Sequence, residues 1–239
     1  MGIDLHLGRA ILNVRPHIAA KAPKSLMLGR QTLRLHKPRK TRKFNKAVAK
    51  AGYDFQLEDI AGSNHYAEGF FEKIGLPDID SMDNSDYENC TIVHDLNKNV
   101  PKKLHNTYDF ILDGGTIEHV FDVPKAFENV HKMLKKGGVF LSFNGGNGWF
   151  GHGFYQFSPE IVWRHWGDFR GYEVLSCDAV STAPDAWPVA IPDPKSKGRR
   201  AQVILPGRYY LGFAVRKMGE QSKGLVQQSD YSRRWKEVT

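Results

Sequence analysis

Two hydrophobic periods alternate along this chain, and each change of period marks a predicted element. Short apolar runs bounded by glycine or acidic residues are typical of buried strands, whereas apolar residues that recur every three or four positions are typical of one helix face. Strands are predicted at 25–29, 79–82, 91–94, 108–113, 139–143, 173–180 and 209–216. Because helical segments separate most of them, we expect an α/β fold with a mostly parallel seven-stranded sheet and helices on both faces.

The best-marked helix is predicted at 123–136. Pro124 suits its first turn, Asp122 places an acid at the positive end of the helix dipole, and Gly137 is a typical helix stop. Further helices are predicted at 5–20, 40–52 and 66–74, and after the cap residue Ser158.

The chain length sets the domain organisation. A chain of 239 residues with 41% hydrophobic content supports one substantial core. We predict a single domain at 1–217, with a helical extension at 1–24, followed by a polar and loosely ordered tail at 218–239. No apolar run is long enough to span a bilayer, and charged residues interrupt the first twenty positions, unlike a signal peptide. These features predict a cytoplasmic protein with no membrane partner.

Charge and cysteine usage narrow the classes further. The formal net charge is +8, and the stretch from Arg30 to Lys50 contains no acidic residue. Such a stretch is either a patch for the phosphates of nucleic acid or the charges of an acidic glycan, or a solvated helix face, and the helix face is favoured. Cys90 and Cys177 lie far apart and form no CxxC pair, so we expect two unpaired thiols and no zinc site formed by cysteines.

Two sequence pieces carry a family resemblance. The chain reads YDFILDGGTIEHV from Tyr108 and LKKGG from Leu134, and GHGFYQFSPE follows from Gly151. In order and spacing, the first two resemble the fourth and fifth strand motifs of class I S-adenosylmethionine-dependent methyltransferases, and the third resembles a bacterial subgroup of that family. The resemblance covers about 25–217 and is strongest at 108–160. It implies a Rossmann-like three-layer sandwich and S-adenosylmethionine as the cofactor.

The first strand departs from the family pattern. A GxGxG-type turn is usual there, but this chain reads LMLGRQ, in which only Gly29 is kept. Glycine lets backbone approach a ligand closely, and the bulkier residues narrow that approach. Arg30 is a candidate to hold the methionine carboxylate of the cofactor, because arginine forms bidentate pairs with carboxylates. The departure also keeps a degenerate, non-catalytic domain open as an alternative.

The ribose contact is predicted at the end of the second strand. Ligands of open α/β sheets bind outside the carboxyl ends of the strands, and an acid there accepts hydrogen bonds from ribose hydroxyls. Asp83 is the first choice and Asp80 the second. A turn residue within an Asp-Asn-Ser cluster is an equally weighted interpretation of Asp83.

The resemblance implies further cofactor contacts after the next strands. It places Asp95 against the adenine amino group and the backbone amide of Leu96 against the ring, although a capping role suits Asp95 almost as well. Asp113 and Gly114 close the fourth strand, where they would leave room for the methionine portion. A simple tight turn is the alternative there.

Candidate catalytic residues follow the fourth and fifth strands. His119 and His152 are predicted to act as bases, because the unperturbed imidazole pKa lies near neutrality. Glu118 precedes His119, but two adjacent residues are too few for a metal site, so no metal is predicted. Trp149 and Tyr155 are expected to wall the acceptor pocket. The long loop at 183–207, with Arg199 and Arg200, is a further candidate cover for the acceptor.

Three functions are therefore weighed. The leading hypothesis is methyl transfer to a hydroxyl of a small molecule or a glycan. An RNA methyltransferase is the second, since the basic stretch and the pI of about 9.4 are typical of nucleic-acid binding. A binding protein with a decayed cofactor site is the third.

Overall fold

The computed structural model describes residues 2–19, 21–60, 65–197, 205–222, 224 and 226–234. The strands in these ranges are β1 (Gly2–Ile3), β2 (Lys24–Leu28), β3 (Thr32–Leu33), β4 (Asp78–Asp83), β5 (Ile92–Val93), β6 (Tyr108–Asp113), β7 (Leu134–Asn147), β8 (Tyr172–Ser181), β9 (Val189–Ala190) and β10 (Tyr209–Lys217). The α-helices are α1 (Leu5–Val14), α2 (Pro38–Lys50), α3 (Glu68–Lys73), α4 (Val123–Met133), α5 (Pro159–His165), α6 (Pro194–Lys197) and α7 (Ser229–Arg234).

The central sheet reverses its direction of growth at β2. Its strand order is β5-β4-β2-β6-β7-β10-β8-β9, and β1 pairs with β3 in a separate small sheet. Strands β5, β4, β2, β6 and β7 are mutually parallel, whereas β10 is antiparallel to β7 and β8. The chain adds β4 and β5 on one side of β2 and then β6 and β7 on the other. A crevice for a ligand is therefore expected where β2 and β6 meet.

Alternating side chains on the sheet feed two separate cores. On β2, Met27 faces one hydrophobic cluster with α1, α2 and α3, whereas Leu26 and Leu28 face a second cluster with α4 and α5. The same alternation places Leu112 in the first cluster and Ile111 in the second. A sheet buried on both faces by helices is the predicted Rossmann-like three-layer α/β sandwich, which is confirmed.

Register brings the carboxyl ends of the inner strands to one level. Leu28 of β2 pairs with Met82 of β4 and with Asp113 of β6, and Asp113 pairs in turn with Ser142 of β7. Side chains and loops that follow these positions consequently meet at a single edge. The first-choice site residues in the described ranges come from this edge of the sheet or from the loops beyond it.

The sheet was predicted to have seven strands, and the central sheet of the described residues has eight. The additional strand is β9, which pairs with β8 inside the segment taken for a loop at 183–207. Its two residues are too few to give a recognisable alternating pattern. The remainder of that segment includes α6, and Arg199 and Arg200 lie outside the described residues.

Two predicted helices are shorter than expected. The first ends at Val14, because Pro16 follows and the chain continues as a short 3-10 turn at Arg15–His17. The helix predicted to reach residue 136 ends at Met133, because Leu134 is extended and already pairs with Tyr108 of β6. Strand pairing overrides helix propensity in that last turn.

The C-terminal segment makes more contacts than a loosely ordered tail would. Ser229, at the start of α7, donates its hydroxyl to Glu160 at 2.9 Å. The Arg170 guanidinium donates to the carbonyl of Gly224 at 2.8 Å. The described part of the tail is therefore docked against α5 and its neighbours. None of the helices in the described ranges combines the length and apolar character needed to cross a membrane.

Candidate active site

The turn after β2 is a close approach between two loops. Gly29 has φ +70°, a left-handed conformation that favours glycine. A Cβ placed on Gly29 would lie 2.8 Å from Oγ1 of Thr116, which follows β6. Thr116 in turn donates its hydroxyl to the carbonyl of Leu28 at 2.7 Å. One glycine, without the family's other glycines, thus suffices to bring the β2 and β6 turns together.

Gln31 is a polar residue buried at this junction. Only 1% of its surface is exposed, and its Nε2 donates to the carbonyl of Leu28 at 3.0 Å. Its Oε1 is buried and has no hydrogen-bond partner among the described residues. That oxygen lies 2.8 Å from where a Cβ on Gly114 would be, so it faces the second predicted glycine. From the sequence, Gln31 was expected only to narrow the approach to a ligand. In the structure its buried Oε1 is available to accept a hydrogen bond.

Arg30 points towards α3. Its Nε donates to Glu68 at 2.7 Å, and its Nη1 donates to the carbonyl of Glu88 at 2.9 Å. The guanidinium also lies 3.9 Å from the ring centroid of Tyr66. These partners occupy the group that was expected to bind the methionine carboxylate. Arg30 is thus held in a structural network, and its cofactor role stays a prediction.

Asp83 stands at the predicted ribose position. It is the last residue of β4, its Oδ1 accepts from the N–H of Asn84 at 2.6 Å, and its Oδ2 lies 3.9 Å from the Cβ position of Gly29. Asp80, the second choice, lies inside the strand, where it accepts from the Tyr108 hydroxyl at 2.9 Å. Only Asp83 therefore borders the crevice, and its turn interaction uses one of its two oxygens.

The turn after β5 is built around Asp95. Its carboxylate accepts from the side chain of Asn97 at 2.8 Å and from the N–H of Asn97 at 3.0 Å. These hydrogen bonds, from the Asn97 side chain first, hold the pKa of Asp95 below its ordinary value. Leu96 is buried, and its carbonyl accepts from Asn129. The capping interpretation of Asp95 is thus met, and its adenine contact stays a prediction.

Asp113 is a structural carboxylate. It is fully buried and accepts four hydrogen bonds, from the N–H groups of Thr116 and Ile117 and from the side chains of Ser142 and Asn144. Burial raises its pKa, and these four donors oppose that shift. Both oxygens are used, so Asp113 shapes the β6 turn and has no exposed edge for a cofactor. Its cofactor contact stays a prediction.

Glu118 is a buried acid that follows β6 and contacts the carboxyl end of β7. Its Oε2 accepts from the N–H of Gly145 at 2.5 Å, and only 4% of its side chain is exposed. Burial raises the pKa of Glu118 to about 7, the Gly145 N–H opposes this, and the charge of Asp113 adds to it. Sequence analysis considered Glu118 only as the neighbour of His119, whereas in the structure it lies at the centre of the cluster.

Two histidines meet this carboxylate. The Nε2 of His152 lies 3.2 Å from Oε1 of Glu118, and the Nε2 of His119 lies 3.7 Å from the same oxygen. The two imidazoles are 5.1 Å apart at 73°. Burial, and then the proximity of His152, lower the pKa of His119. The two predicted bases are thus brought together, with their outer faces open to solvent.

Backbone contacts fix the loop that carries His152. The N–H groups of Phe154 and Tyr155 donate to the carbonyl of Glu118 at 2.9 and 3.2 Å. Gly153 has φ +74°, and a Cβ there would lie 2.8 Å from that carbonyl. Gly153 is therefore needed for the loop to lie flat against the Glu118 segment.

The predicted acceptor walls differ in position. The Trp149 ring lies 5.2 Å from His152 and 4.9 Å from Tyr210, and its Nε1 donates to the carbonyl of Tyr209. Tyr155 donates its hydroxyl to the carbonyl of Phe121 at 2.8 Å. Trp149 thus adjoins the histidines directly, whereas Tyr155 ties down the loop. The substrate contacts of both stay predictions.

The basic stretch coincides with α2. Phe44 and Val48 form its buried face, which fits the favoured interpretation of an amphipathic surface helix. Lys43 is paired with Asp185. Lys46 borders a cavity of about 650 Å³ against the sheet, whose wall also includes Lys43. The stretch is therefore a helix face, and part of it borders a space with basic walls.

Comparisons with known proteins give a family match over part of the chain. Residues 62–142 match a protein family described as a methyltransferase domain. No curated protein matches the chain. A solved N1-methyltransferase from Burkholderia thailandensis, with bound 1,6-didemethyltoxoflavin and S-adenosylhomocysteine, is 13% identical, with 90% of this chain and 78% of that chain covered and a TM-score of 0.45. A solved SAM-dependent methyltransferase from Archaeoglobus fulgidus is 9% identical, with 89% and 94% covered and a TM-score of 0.43.

The family match includes β4, β5, β6, α4 and most of the site. It contains Asp83, Asp113 and the Glu118–His119 pair, whereas Gly29 and His152 lie outside it. The match at 62–142 supports the predicted class, a methyltransferase, for which S-adenosylmethionine is the expected cofactor.

Proposed function

We propose that this methyltransferase, recognised by its match at 62–142, transfers the methyl group to a hydroxyl of a small molecule or a glycan. The observation that carries the proposal is the convergence of Glu118, His119 and His152 beside the carboxyl ends of β6 and β7. A hydroxyl is a poor nucleophile until its proton is removed, and this cluster offers the groups to remove it.

The β2–β6 crevice supports cofactor binding through its unused acceptors. Oε1 of Gln31 is buried and has no partner in the part of the chain that the structure describes, which suits it to accept a hydrogen bond from an ammonium group. Oδ2 of Asp83 borders the same turn and suits the ribose hydroxyls. Gly29 and Gly114 carry no side chain between these two acceptors. The residues present therefore fit the amino, ribose and methionine parts of S-adenosylmethionine.

Bound S-adenosylmethionine supplies a methyl group on a positively charged sulfur, and this sulfur is the leaving group when the methyl group is transferred. The protein must then align the acceptor, exclude water and take up a proton. Alignment alone can lower the barrier by roughly 7–11 kcal/mol, and a proton acceptor adds roughly 10²–10⁴-fold in rate. Trp149 beside His152 offers an apolar wall for alignment. The cluster of Glu118, His119 and His152 offers the proton acceptor.

The charge near the acceptor side favours a polar acceptor. The Arg208 guanidinium lies 5.4 Å from the Trp149 ring centroid. Glycans with acidic groups match such a surface better than apolar acceptors do. An RNA acceptor gains less support, because Arg30 is paired with Glu68, and Lys43 with Asp185, within the same basic stretch.

Calorimetric titration with S-adenosylhomocysteine tests the cofactor site. We expect micromolar binding to the wild-type chain and a loss of at least roughly tenfold, or about 1.4 kcal/mol, in Asp83→Ala. Asp86→Ala, a change in the same connection, is the matched control and should bind as the wild type does. Absence of binding to the wild type would overturn the proposal and favour the non-catalytic domain.

A radiolabelled-methyl transfer assay tests the acceptor. Acidic and neutral glycans, small hydroxylated compounds and total RNA are compared, with the wild type and His152→Ala side by side. We expect label in a hydroxyl compound and a loss of at least roughly a hundredfold in His152→Ala. Transfer to RNA with a steep salt dependence would instead assign the RNA function.

A further inference from the structure

We propose that Glu118, His119 and His152 together form a binding site for a divalent transition-metal ion. One ligand atom from each side chain lies within 4.8 Å of the others. Glu118 and His119 follow β6, whereas His152 comes from the loop after β7, so only the folded sheet brings the third ligand to the other two. This is the group of three convergent donors that a metal site requires.

The donor types select the class of ion. Two imidazole nitrogens and one carboxylate oxygen suit zinc, iron, cobalt or nickel in the divalent state. Magnesium and calcium prefer sites built wholly from oxygen. With three protein ligands, at least one coordination position stays open for water or for another oxygen, as in catalytic zinc sites.

The surroundings of Glu118 favour a bound cation. The carboxylate is almost wholly buried, and among the described residues it pairs with no lysine or arginine. A buried carboxylate without a cationic partner is unfavourable, and a metal ion would supply the missing positive charge. Because Oε2 is held by the N–H of Gly145, Oε1 is the oxygen that faces both imidazoles. Such second hydrogen bonds are typical of metal-binding carboxylates.

The loop is held in place by protein contacts alone. Backbone hydrogen bonds from Phe154 and Tyr155 to the carbonyl of Glu118 fix the position of the segment after His152. The N–H of His152 itself donates to the carbonyl of Trp149 at 2.9 Å. The site is therefore preorganised, and loss of the metal should leave the fold intact.

The role of the ion, unlike its binding, rests on the proposed function. An acceptor hydroxyl on the open position would lose its proton to solvent water near neutral pH, because a bound metal lowers the pKa of a coordinated oxygen. The acceptor oxygen would then bond to the methyl carbon while the carbon–sulfur bond breaks and its electron pair stays on sulfur. His119 and His152 would act as metal ligands, and the water would take the proton.

Titration of Co²⁺ and Zn²⁺ into the chelator-treated chain, with any affinity tag removed, tests the site. Visible absorption reports cobalt coordination, and calorimetry reports zinc affinity. We expect one ion per chain, and a loss of affinity of at least roughly a hundredfold in His152→Ala and in Glu118→Gln. His105→Ala, a histidine outside the cluster, is the matched control and should bind as the wild type does. Equal binding by all variants, or none by the wild type, would overturn the proposal.

The same samples separate this proposal from the proposed function. S-adenosylhomocysteine binding without metal binding would overturn the metal site and leave the imidazoles as bases. Metal binding that is lost in His152→Ala, in a chain that transfers no methyl group, would support the site and refute the assigned reaction. Unfolding curves of each variant verify that the fold is retained.

Discussion

Substitution of Gly29 by alanine measures how closely the β2 and β6 turns approach. At φ +70°, a residue with a Cβ is strained by about 1–2 kcal/mol. The new Cβ would lie 2.8 Å from Thr116 Oγ1 and 3.3 Å from Gln31 Nε2. Displacement of Thr116 would weaken its hydrogen bond to Leu28, which contributes about 1 kcal/mol. We therefore expect Gly29→Ala to lower the free energy of unfolding by about 2–3 kcal/mol.

Gly137→Ala is the matched control for the backbone contribution. Gly137 has φ +82°, and a Cβ there would have no heavy atom within 4 Å. Only the conformational strain of about 1–2 kcal/mol applies, so the two variants should differ by about 1 kcal/mol. Urea unfolding with an unchanged m-value measures this difference. For a chain of this size, each kcal/mol shifts Tm by roughly 2–4 °C.

A double-mutant cycle with Thr116→Ala isolates the contact itself. Without Oγ1, the alanine at position 29 no longer collides, so its effect should be smaller by about 1 kcal/mol in the Thr116→Ala background. Gly29→Ala should also weaken S-adenosylhomocysteine binding by at least roughly tenfold, and Gly137→Ala should leave it unchanged. If Gly29→Ala proves no more disruptive than Gly137→Ala in both assays, the close approach is refuted.

Two further predictions concern buried titratable groups. Asp113→Ala should lower the free energy of unfolding by about 3–5 kcal/mol, because it leaves four buried hydrogen-bond donors without their acceptor, each at a cost of about 1 kcal/mol or more; a loss under about 1 kcal/mol in urea unfolding would contradict this. Burial, aided by the charge of Arg170, lowers the pKa of His165 from 6.5 to about 4. As the pH falls below 6.5, His165 is protonated in the unfolded chain before it is protonated in the folded one. The free energy of unfolding is therefore unaffected by His165 above pH 6.5 and falls by about 3 kcal/mol towards pH 4. His165→Gln should flatten the stability profile in that window, and an unchanged profile would argue against a buried neutral imidazole.

Local sequence signals were sufficient for the scaffold. The apolar run of β6 ends in an acid and two glycines, and its predicted bounds at 108–113 match the structure. Asp83 was placed at the end of β4 because strand ends carry ligand contacts in parallel sheets. Both results depend on residues that are neighbours in sequence, where periodicity and turn chemistry are informative.

Contacts between segments that are distant in sequence could not be predicted. The contact between His152 and Glu118 could not be predicted, because it depends on the pairing of β7 with β6. Arg30 was assigned to the cofactor, since nothing in the sequence indicated its ion pair with Glu68. A ligand contact by Gln31 could have been inferred from the sequence. Gln31 is a polar residue that follows a buried strand and its glycine turn, and a polar side chain that is buried there needs a hydrogen-bond partner.

The loop from Gly114 to His119 joins the two halves of the site through separate anchors. Thr116 binds it to the end of β2, near Gln31 and Asp83, and Glu118 binds it to Gly145 at the end of β7, beside the histidines. Asp113 holds the root of the same loop through the N–H groups of Thr116 and Ile117 and also binds β7 through Ser142. Because protein interiors are closely packed, a displacement at one of these anchors must displace the others. The loop is thus fixed on both sides, so the protein sets the position of the proposed cofactor crevice relative to the cluster of Glu118, His119 and His152 before either ligand binds.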